Sequence, residues 1–161
     1  MAEIRAMKEG DRGHVRALEL FCIREYLEDT LKKNMDQMQQ TLVDQLGASS
    51  KGSFDFYLDK GLSFVAVENK EVVGFVFAQM MEHINNVDKV LWIEDMGVHP
   101  DHRRKGIGLK LLNKVTAEGK KKGAKAAESA IMADLLPSLM MHRKAGFFLD
   151  ARKLALLDLQ E

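Results

Sequence analysis

The hydrophobic and polar positions along the chain follow two periods. Alternation with a period of two predicts strands, and recurrence every three to four residues predicts helices. The predicted strands are residues 2–8, a hairpin over 62–81, residues 89–98, and a final one or two strands over 147–159. The predicted helices are residues 11–26, 34–46, 106–121 and 135–145. Residues 47–53 are predicted as a loop; residues 124–133 fit a strand or a helix, and the preceding glycine favours a strand.

These elements combine into one α/β domain over residues 1–161, in which helices flank a mixed, mostly antiparallel sheet. The chain has 161 residues, 46% of them hydrophobic and 30% charged, which is typical of a globular domain with a real core. Neither an apolar run of membrane-spanning length nor a leader is found, so no membrane partner is predicted. Cys22 is the only cysteine, which excludes an intramolecular disulfide and favours a reducing cytoplasm.

Charge is balanced overall but unevenly placed. The chain has 24 basic and 24 acidic residues, yet residues 101–125 hold nine Lys or Arg against Asp101 and Glu118. A basic segment on an otherwise acidic body suits one polyanionic ligand better than nucleic acid, so no nucleic-acid partner is predicted. For Lys120–Lys122 we prefer a role at a solvated helix end. The histidines do not recur at metal-ligand spacing, and no metal is predicted.

A strand, a proline, three cations and two glycines follow one another in residues 98–112. Pro100 ends the strand, and a helix is predicted from Gly106. A helix N-terminus carries backbone N–H groups without intrahelical partners and a partial positive charge. Glycine at positions 106 and 108 lets an anion approach these groups closely. The stretch therefore indicates a phosphate or pyrophosphate site, although a plain glycine-rich turn has the same composition.

This stretch resembles a known family. Residues 103–108, Arg-Arg-Lys-Gly-Ile-Gly, fit the Arg/Gln-x-x-Gly-x-Gly/Ala motif of the GNAT superfamily of N-acetyltransferases. Residues 93–102 look like the strand that leads into that motif, residues 143–148 resemble the family's Gly-Phe segment, and residues 3–18 resemble its opening. The resemblance implies a GNAT-like single domain that binds acetyl-CoA as a co-substrate.

In such a site the backbone N–H groups of Arg104 through Leu109 hold the pyrophosphate, and the strand edge at Met96 and Val98 pairs with the pantetheine arm. The side chains of Arg103 and Arg104 either contact phosphate or are solvated surface charges. The cofactor-binding residues that the resemblance implies are Met96, Val98, Arg103, Arg104, Lys105, Gly106, Ile107, Gly108 and Leu109.

Acetyl transfer to an amine needs a general base, because an amine with a lysine-like pKa is protonated at neutral pH. Glu94 is the candidate, since strand alternation places it on one face with Val90, Trp92, Met96 and Val98. Alternatively Glu94 pairs with a lysine or points into solvent. Asp95 is predicted to face the opposite way in a structural role. A backbone N–H near Met96 or Val98 is the expected donor to the carbonyl oxygen.

The leaving thiolate needs a proton. The family commonly places a tyrosine four residues before the glycine of its Gly-Phe segment, and His142 stands at that position here. Imidazole is a competent proton carrier, so His142 is the second predicted catalytic residue. The alternative is a histidine at the end of an amphipathic helix. Leu135 replaces the family's frequent asparagine, and neither Tyr26 nor Tyr57 lies near the motif in sequence.

The resemblance implies an N-acetyltransferase that acts on a primary amine of a small molecule or a protein. The alternative is a weak or inactive acetyl-CoA-binding module of the same fold that acts as a sensor or regulatory subunit. The sequence does not name the acceptor. Sheet edges make a homodimer a reasonable expectation.

Overall fold

Five strands form one sheet in the computed structural model, which describes residues 1–30, 48–155, 157 and 159. The strands lie side by side in chain order. They are β1 (Glu3–Ala6), β2 (Phe64–Glu68), β3 (Glu71–Ile84), β4 (Val87–Val98) and β5 (Ala126–Ser129). All neighbours are antiparallel except β4 and β5, which are parallel. The predicted mixed, mostly antiparallel sheet is therefore confirmed.

Helices cover both faces of this sheet. They are α1 (Arg12–Glu25), α2 (Ala48–Lys51), α3 (Phe54–Lys60), α4 (Ile107–Lys121) and α5 (Leu136–Lys144). A π-helical turn, Tyr26–Thr30, follows α1, and a 3₁₀ turn, Pro100–His102, follows β4. None of the helices in the described ranges is long and apolar enough to cross a membrane.

The core has one layer on each face of the sheet. On one face α4 buries Ile107, Leu111 and Val115 against the strands, because these positions recur every four residues along one side of the helix. On the other face Val15 of α1 and Phe54 of α3 pack against the strands. The layers hold α4 and α1 in fixed positions relative to β4.

A β-bulge in β4 changes the face on which its side chains lie. Across the β3–β4 ladder Ala78 is opposite Ile93 while Phe77 is opposite Asp95, so Glu94 is an extra residue. Ile93 packs on the α4 face before the bulge, and Met96 does so after it, although strict alternation would separate them. The predicted common face for Glu94, Met96 and Val98 is therefore wrong, because the bulge shifts the alternation by one residue.

β4 extends beyond its neighbour β5. The two strands pair only from Val90 opposite Ala126 to Ile93 opposite Ser129. The edge of β4 from Glu94 to Val98 has no neighbouring strand on that side in the described ranges. The two strands leave a gap at the carboxyl end of β4, which is where open α/β sheets bind ligands.

The backbone groups along this open edge point away from β3. The amide of His99 donates to the carbonyl of Val73 at 2.9 Å. Because hydrogen-bonding direction alternates along an antiparallel strand, the N–H and C=O groups of Met96 and Val98 face the gap instead. These are the two residues to which the family resemblance assigns the pantetheine arm.

Most predicted elements are confirmed, including the hairpin, the strand within 124–133 and the helices beginning near residues 12, 107 and 136. The helix predicted over 34–46 lies outside the described residues. The loop predicted over 47–53 is wrong, because residues 48–51 form α2. The closing strands are wrong for residues 147–155, which have no strand beside them. Phe148 and Leu154 are 89% and 71% exposed there. The segment therefore alternates like a strand but neither pairs with a strand nor packs these side chains on the protein.

Two helical glycines allow a test of the packing between α4 and β4. A Cβ at Gly119 would lie 2.8 Å from Cδ2 of Leu91, which is fully buried and has no room to move. We expect Gly119→Val to lower the free energy of unfolding by about 1–3 kcal/mol. A Cβ at Gly13 of α1 would meet no atom within 4 Å, so Gly13→Ala should leave it unchanged or raise it by up to about 1 kcal/mol. Urea unfolding measures both; equal effects would contradict the packing described.

Candidate active site

The loop from β4 to α4 is fixed by contacts at its start. The imidazole Nδ1 of His102 lies 2.8 Å from Oε2 of Glu68 in β2, and the amino terminus lies 3.3 Å from the other oxygen of the same carboxylate. His102 and the amino terminus together lower the pKa of Glu68. Arg104 and Gly106 then adopt left-handed backbone conformations, with φ of 60° and 77°, and turn the chain into α4.

The N-terminus of α4 presents a run of unused donors. The amides of Arg104 through Leu109 donate to no backbone carbonyl within the ranges that the structure describes. A Cβ at Gly106 would meet no atom within 4 Å, so the space beside its amide is open. A Cβ at Gly108 would lie 2.6 Å from Sδ of Met141 in α5. Gly106 therefore leaves room for an anion, whereas Gly108 allows α4 and α5 to pack closely.

The three cations of the loop have different positions. Arg103 donates from Nε to the carbonyl of Val98 at 2.9 Å and places Nη2 2.6 Å from Glu25 of α1. Its amide donates to Pro100. The Arg103 side chain thus ties the end of β4 to α1. Arg104 and Lys105 are exposed and have no ion pair in the part of the chain described, so their charges are available near the unused amides.

Glu94 lies at the bulge, where the open edge of β4 begins. Its side chain is exposed, and Oε2 accepts a hydrogen bond from the Trp92 indole at 2.5 Å. The buried phenol of Tyr57 in α3 lies beside this carboxylate. Burial chiefly, and Glu94 next, raise the pKa of Tyr57 well above its ordinary value. Tyr57 keeps its proton and can donate it in a hydrogen bond. The sequence pattern missed Tyr57 because α3 is distant in the chain.

Asp95 lies on the same face as Glu94 and not on the opposite one. Its carboxyl is near Glu19 of α1, and its pKa is raised well above the ordinary aspartate value by burial first and then by Glu19. The prediction that it faces away from Glu94 is wrong because the bulge places both side chains toward α1 and α3. Both carboxyl groups therefore belong to one polar cluster at the sheet.

His142 is buried inside the protein. It is 1% exposed, its ring packs edge-to-face on Phe147, and Nδ1 lies 2.8 Å from the carbonyl of Ser138. Because that carbonyl only accepts, Nδ1 carries the proton and Nε2 is a bare acceptor with no partner in the described structure. Burial lowers the pKa of His142, which favours the neutral ring.

A hydrogen bond joins the elements on either side of the gap. The hydroxyl of Tyr26, in the turn after α1, donates to Oδ1 of Asp134 at 3.0 Å. Asp134 belongs to the loop between β5 and α5. On the β5 side, Glu128 accepts a hydrogen bond from the Asn85 side chain at 3.0 Å, at the tip of the β3–β4 hairpin and away from the open edge of β4. Asp134 is thus the carboxylate that follows the carboxyl end of β5.

Comparisons with known proteins agree with this architecture. The fold is that of the GNAT N-acetyltransferases, which confirms the resemblance. The chain belongs to the family described as "Protein of unknown function (DUF1999)", whose model matches residues 2–161. An uncharacterized N-acetyltransferase of Methanocaldococcus jannaschii is 33% identical over 86 residues. That match covers 52% of this chain and only 38% of the relative.

Two solved structures illustrate the similarity of fold. The aminoglycoside N-acetyltransferase AAC(6')-Iy, in complex with CoA, superposes with a TM-score of 0.71 at 22% identity, covering 99% of this chain and 96% of the other. A predicted acetyltransferase from Clostridium acetobutylicum, with acetyl-CoA, gives a TM-score of 0.71 at 17% identity, covering 98% and 96%. At these identities the likeness extends to the fold alone.

Proposed function

We propose that this protein is an acetyl-CoA-dependent N-acetyltransferase that transfers acetyl to a primary amine of a small molecule or a protein. The proposal rests on one observation: backbone hydrogen-bond donors and a carboxylate follow one another along a single path from the start of α4 to the bulge in β4. The unused amides of residues 104–109 begin it, the outward backbone groups of Val98 and Met96 continue it, and the exposed carboxylate of Glu94 ends it.

The residues along this path fit the chemistry of acetyl-CoA. Pyrophosphate suits the free amides at the start of α4, the open side of Gly106, and the exposed charges of Arg104 and Lys105. The edge of β4 suits an arm that hydrogen-bonds as an added strand. The Val98 carbonyl already accepts from Arg103, and the Met96 amide lies near the Asp95 carboxyl, so the Val98 amide is the unshared donor for the arm or the carbonyl oxygen. No metal is required by this assignment.

Glu94 acts as the general base in this proposal. It takes a proton from the acceptor ammonium, and the freed amine nitrogen bonds to the acetyl carbonyl carbon as the carbon–sulfur bond breaks. An amide of the β4 edge donates to the carbonyl oxygen, where negative charge develops. The nitrogen loses its extra proton as the amide forms, and water relays that proton to the departing thiolate. His142 does not supply it, because its N–H is bonded to Ser138 and its other nitrogen is buried.

The acceptor proposed is a cationic amine. The exposed carboxylate of Glu94, with Asp134 in the loop after β5, supports a cationic acceptor, because negative charge attracts ammonium groups. Two structural neighbours are named as aminoglycoside acetyltransferases. A reducing cytoplasm and a homodimer remain predictions from the sequence.

Thermal unfolding with and without acetyl-CoA tests the proposal, with ATP and NAD as anionic controls. Acetyl-CoA at a hundred times its dissociation constant should stabilise the fold by about 2.7 kcal/mol. A rise in midpoint selective for acetyl-CoA supports the site and justifies a screen of amines by free-thiol release. If the unfolding midpoint does not rise, or rises equally with ATP, the loop is a general anion site or a plain turn and the proposed function is wrong.

The second candidate is an acetyl-CoA-binding module with little turnover. The burial of His142 favours it, because the position where the family commonly has a tyrosine offers no exposed acid here. Selective stabilisation by acetyl-CoA without thiol release across a broad panel of amines would support this module. Thiol release with any cationic amine, lost on replacing Glu94, would exclude it.

A further inference from the structure

Two other carboxyl groups lie near Asp95. Glu94 and Asp95 share a face because of the bulge in β4, and Glu19 of α1 lies near Asp95. Glu94 is exposed, whereas Glu19 is 1% exposed. A negative charge on Asp95 would be repelled by both neighbouring carboxylates. Burial first and then Glu19 raise the pKa of Asp95, which favours its neutral form.

The two oxygens of Glu19 have different surroundings. Oε2 accepts from the Ser50 amide at 3.1 Å and from the Ser50 hydroxyl, and Nη1 of Arg16 lies 3.6 Å away. Oε1 is buried and has no hydrogen-bond partner among the described residues, and the carboxyl of Asp95 lies near the Glu19 carboxyl group. A buried acceptor without a donor is costly, and a proton on the adjacent carboxyl group satisfies it.

We propose that Asp95 is a positioning residue for Glu94: its protonated carboxyl donates to Oε1 of Glu19 and ties the β4 bulge to α1. The bridge fixes the backbone of the extra residue, and so fixes where the Glu94 carboxylate meets the acceptor amine. The effect of this bridge on turnover rests on the proposed function. The existence of the bridge does not depend on that function.

The charged and titratable groups around Asp95 favour a proton on its own carboxyl group. From α1 they are Arg16, Glu19 and Cys22; from α3 the neutral phenol of Tyr57; from β4 Glu94; and from the loop after β4 Arg103, which lies beside Cys22. Arg16 faces the oxygen of Glu19 that Ser50 already binds, and Arg103 is paired with Glu25. Loss of the proton from Asp95 would leave its carboxylate beside those of Glu19 and Glu94.

Carbon-13 labelling of aspartate carboxyl groups tests the bridge in the protein without acetyl-CoA. We expect one aspartate signal to retain its proton at neutral pH and to vanish in Asp95→Asn. Asp88→Asn, an exposed change on the same strand, is the control and should leave that signal in place. If every aspartate titrates in the ordinary acidic range, the bridge does not exist, whatever the protein catalyses.

Variants test whether the bridge positions Glu94. Asp95→Asn retains an N–H donor toward Glu19, so turnover should stay within about threefold of the original. Asp95→Leu removes the donor and should lower kcat by about 10²-fold while the KM for acetyl-CoA is kept, because a small misplacement of the base is costly. Equal kcat in both variants, each shown to be folded by circular dichroism, would overturn the positioning role.

Discussion

Replacing Glu94 by glutamine is expected to lower kcat by about 10²–10⁴-fold at neutral pH, the range that general base catalysis contributes. The amide has nearly the same shape and keeps an oxygen for the Trp92 indole, so the bulge should survive. Binding of acetyl-CoA should be unchanged, because its phosphate site lies at the start of α4. Steady-state kinetics with an active amine measures the first effect, and thermal stabilisation by acetyl-CoA measures the second.

Glu82→Gln is the matched control for this experiment. Glu82 is an exposed carboxylate on β3, opposite Lys89 and away from the open edge of β4. Its replacement should leave kcat within about twofold, since a surface charge contributes little on its own. Should Glu94→Gln behave like Glu82→Gln, the amine loses its proton to another group and the assignment of the base is wrong.

Replacing Gly106 by glutamate is expected to abolish the stabilisation by acetyl-CoA, which is about 2.7 kcal/mol at a hundred times the original dissociation constant. A Cβ at this position meets no atom within 4 Å, so the main cost to the fold is the strain of a left-handed conformation, about 1–2 kcal/mol. Its carboxylate would stand among the unused amides and repel phosphate. The change in unfolding midpoint on adding acetyl-CoA is the measurement.

Gly106→Asn separates charge from backbone strain. Asparagine tolerates the left-handed region better than other side chains and carries no charge. We expect it to retain most of the response to acetyl-CoA. A complete loss in both variants would point to the backbone conformation and not to phosphate repulsion, and retention in both would place the pyrophosphate elsewhere.

Local patterns predicted the fold class because each element carries its own signal. The helix that buries Leu111 and Val115 is evident from spacing, and the hairpin of β2 and β3 from two alternating runs about a turn. The closing strands failed for a different reason. Alternation around Leu154 marks a chain able to form a strand, but a strand also needs a neighbour, which only the tertiary structure supplies.

The parts of the candidate site that consist of backbone groups were predictable from the sequence. The contacts between side chains of elements distant in the chain were not. The donors at Gly106 and the edge at Met96 follow from a strand, a turn and a helix in succession. The proximity of Tyr57 and Glu19 to β4 comes from packing of distant helices, for which the sequence has no local signal. The burial of His142 depends likewise on how α5 lies against Phe147.

The extra residue at Glu94 also constrains how this chain can vary in length. The one-residue shift in the β3–β4 register determines the face of the sheet on which each side chain from Asp95 to Val98 lies. A deletion between Leu91 and Val98 would restore regular pairing and reverse inside and outside for that stretch. The two-residue turn at Asn85 and Asn86 carries no such offset. Changes of one residue in length should therefore be tolerated at the tip of the hairpin, whereas a one-residue deletion between Leu91 and Val98 should destabilise the fold.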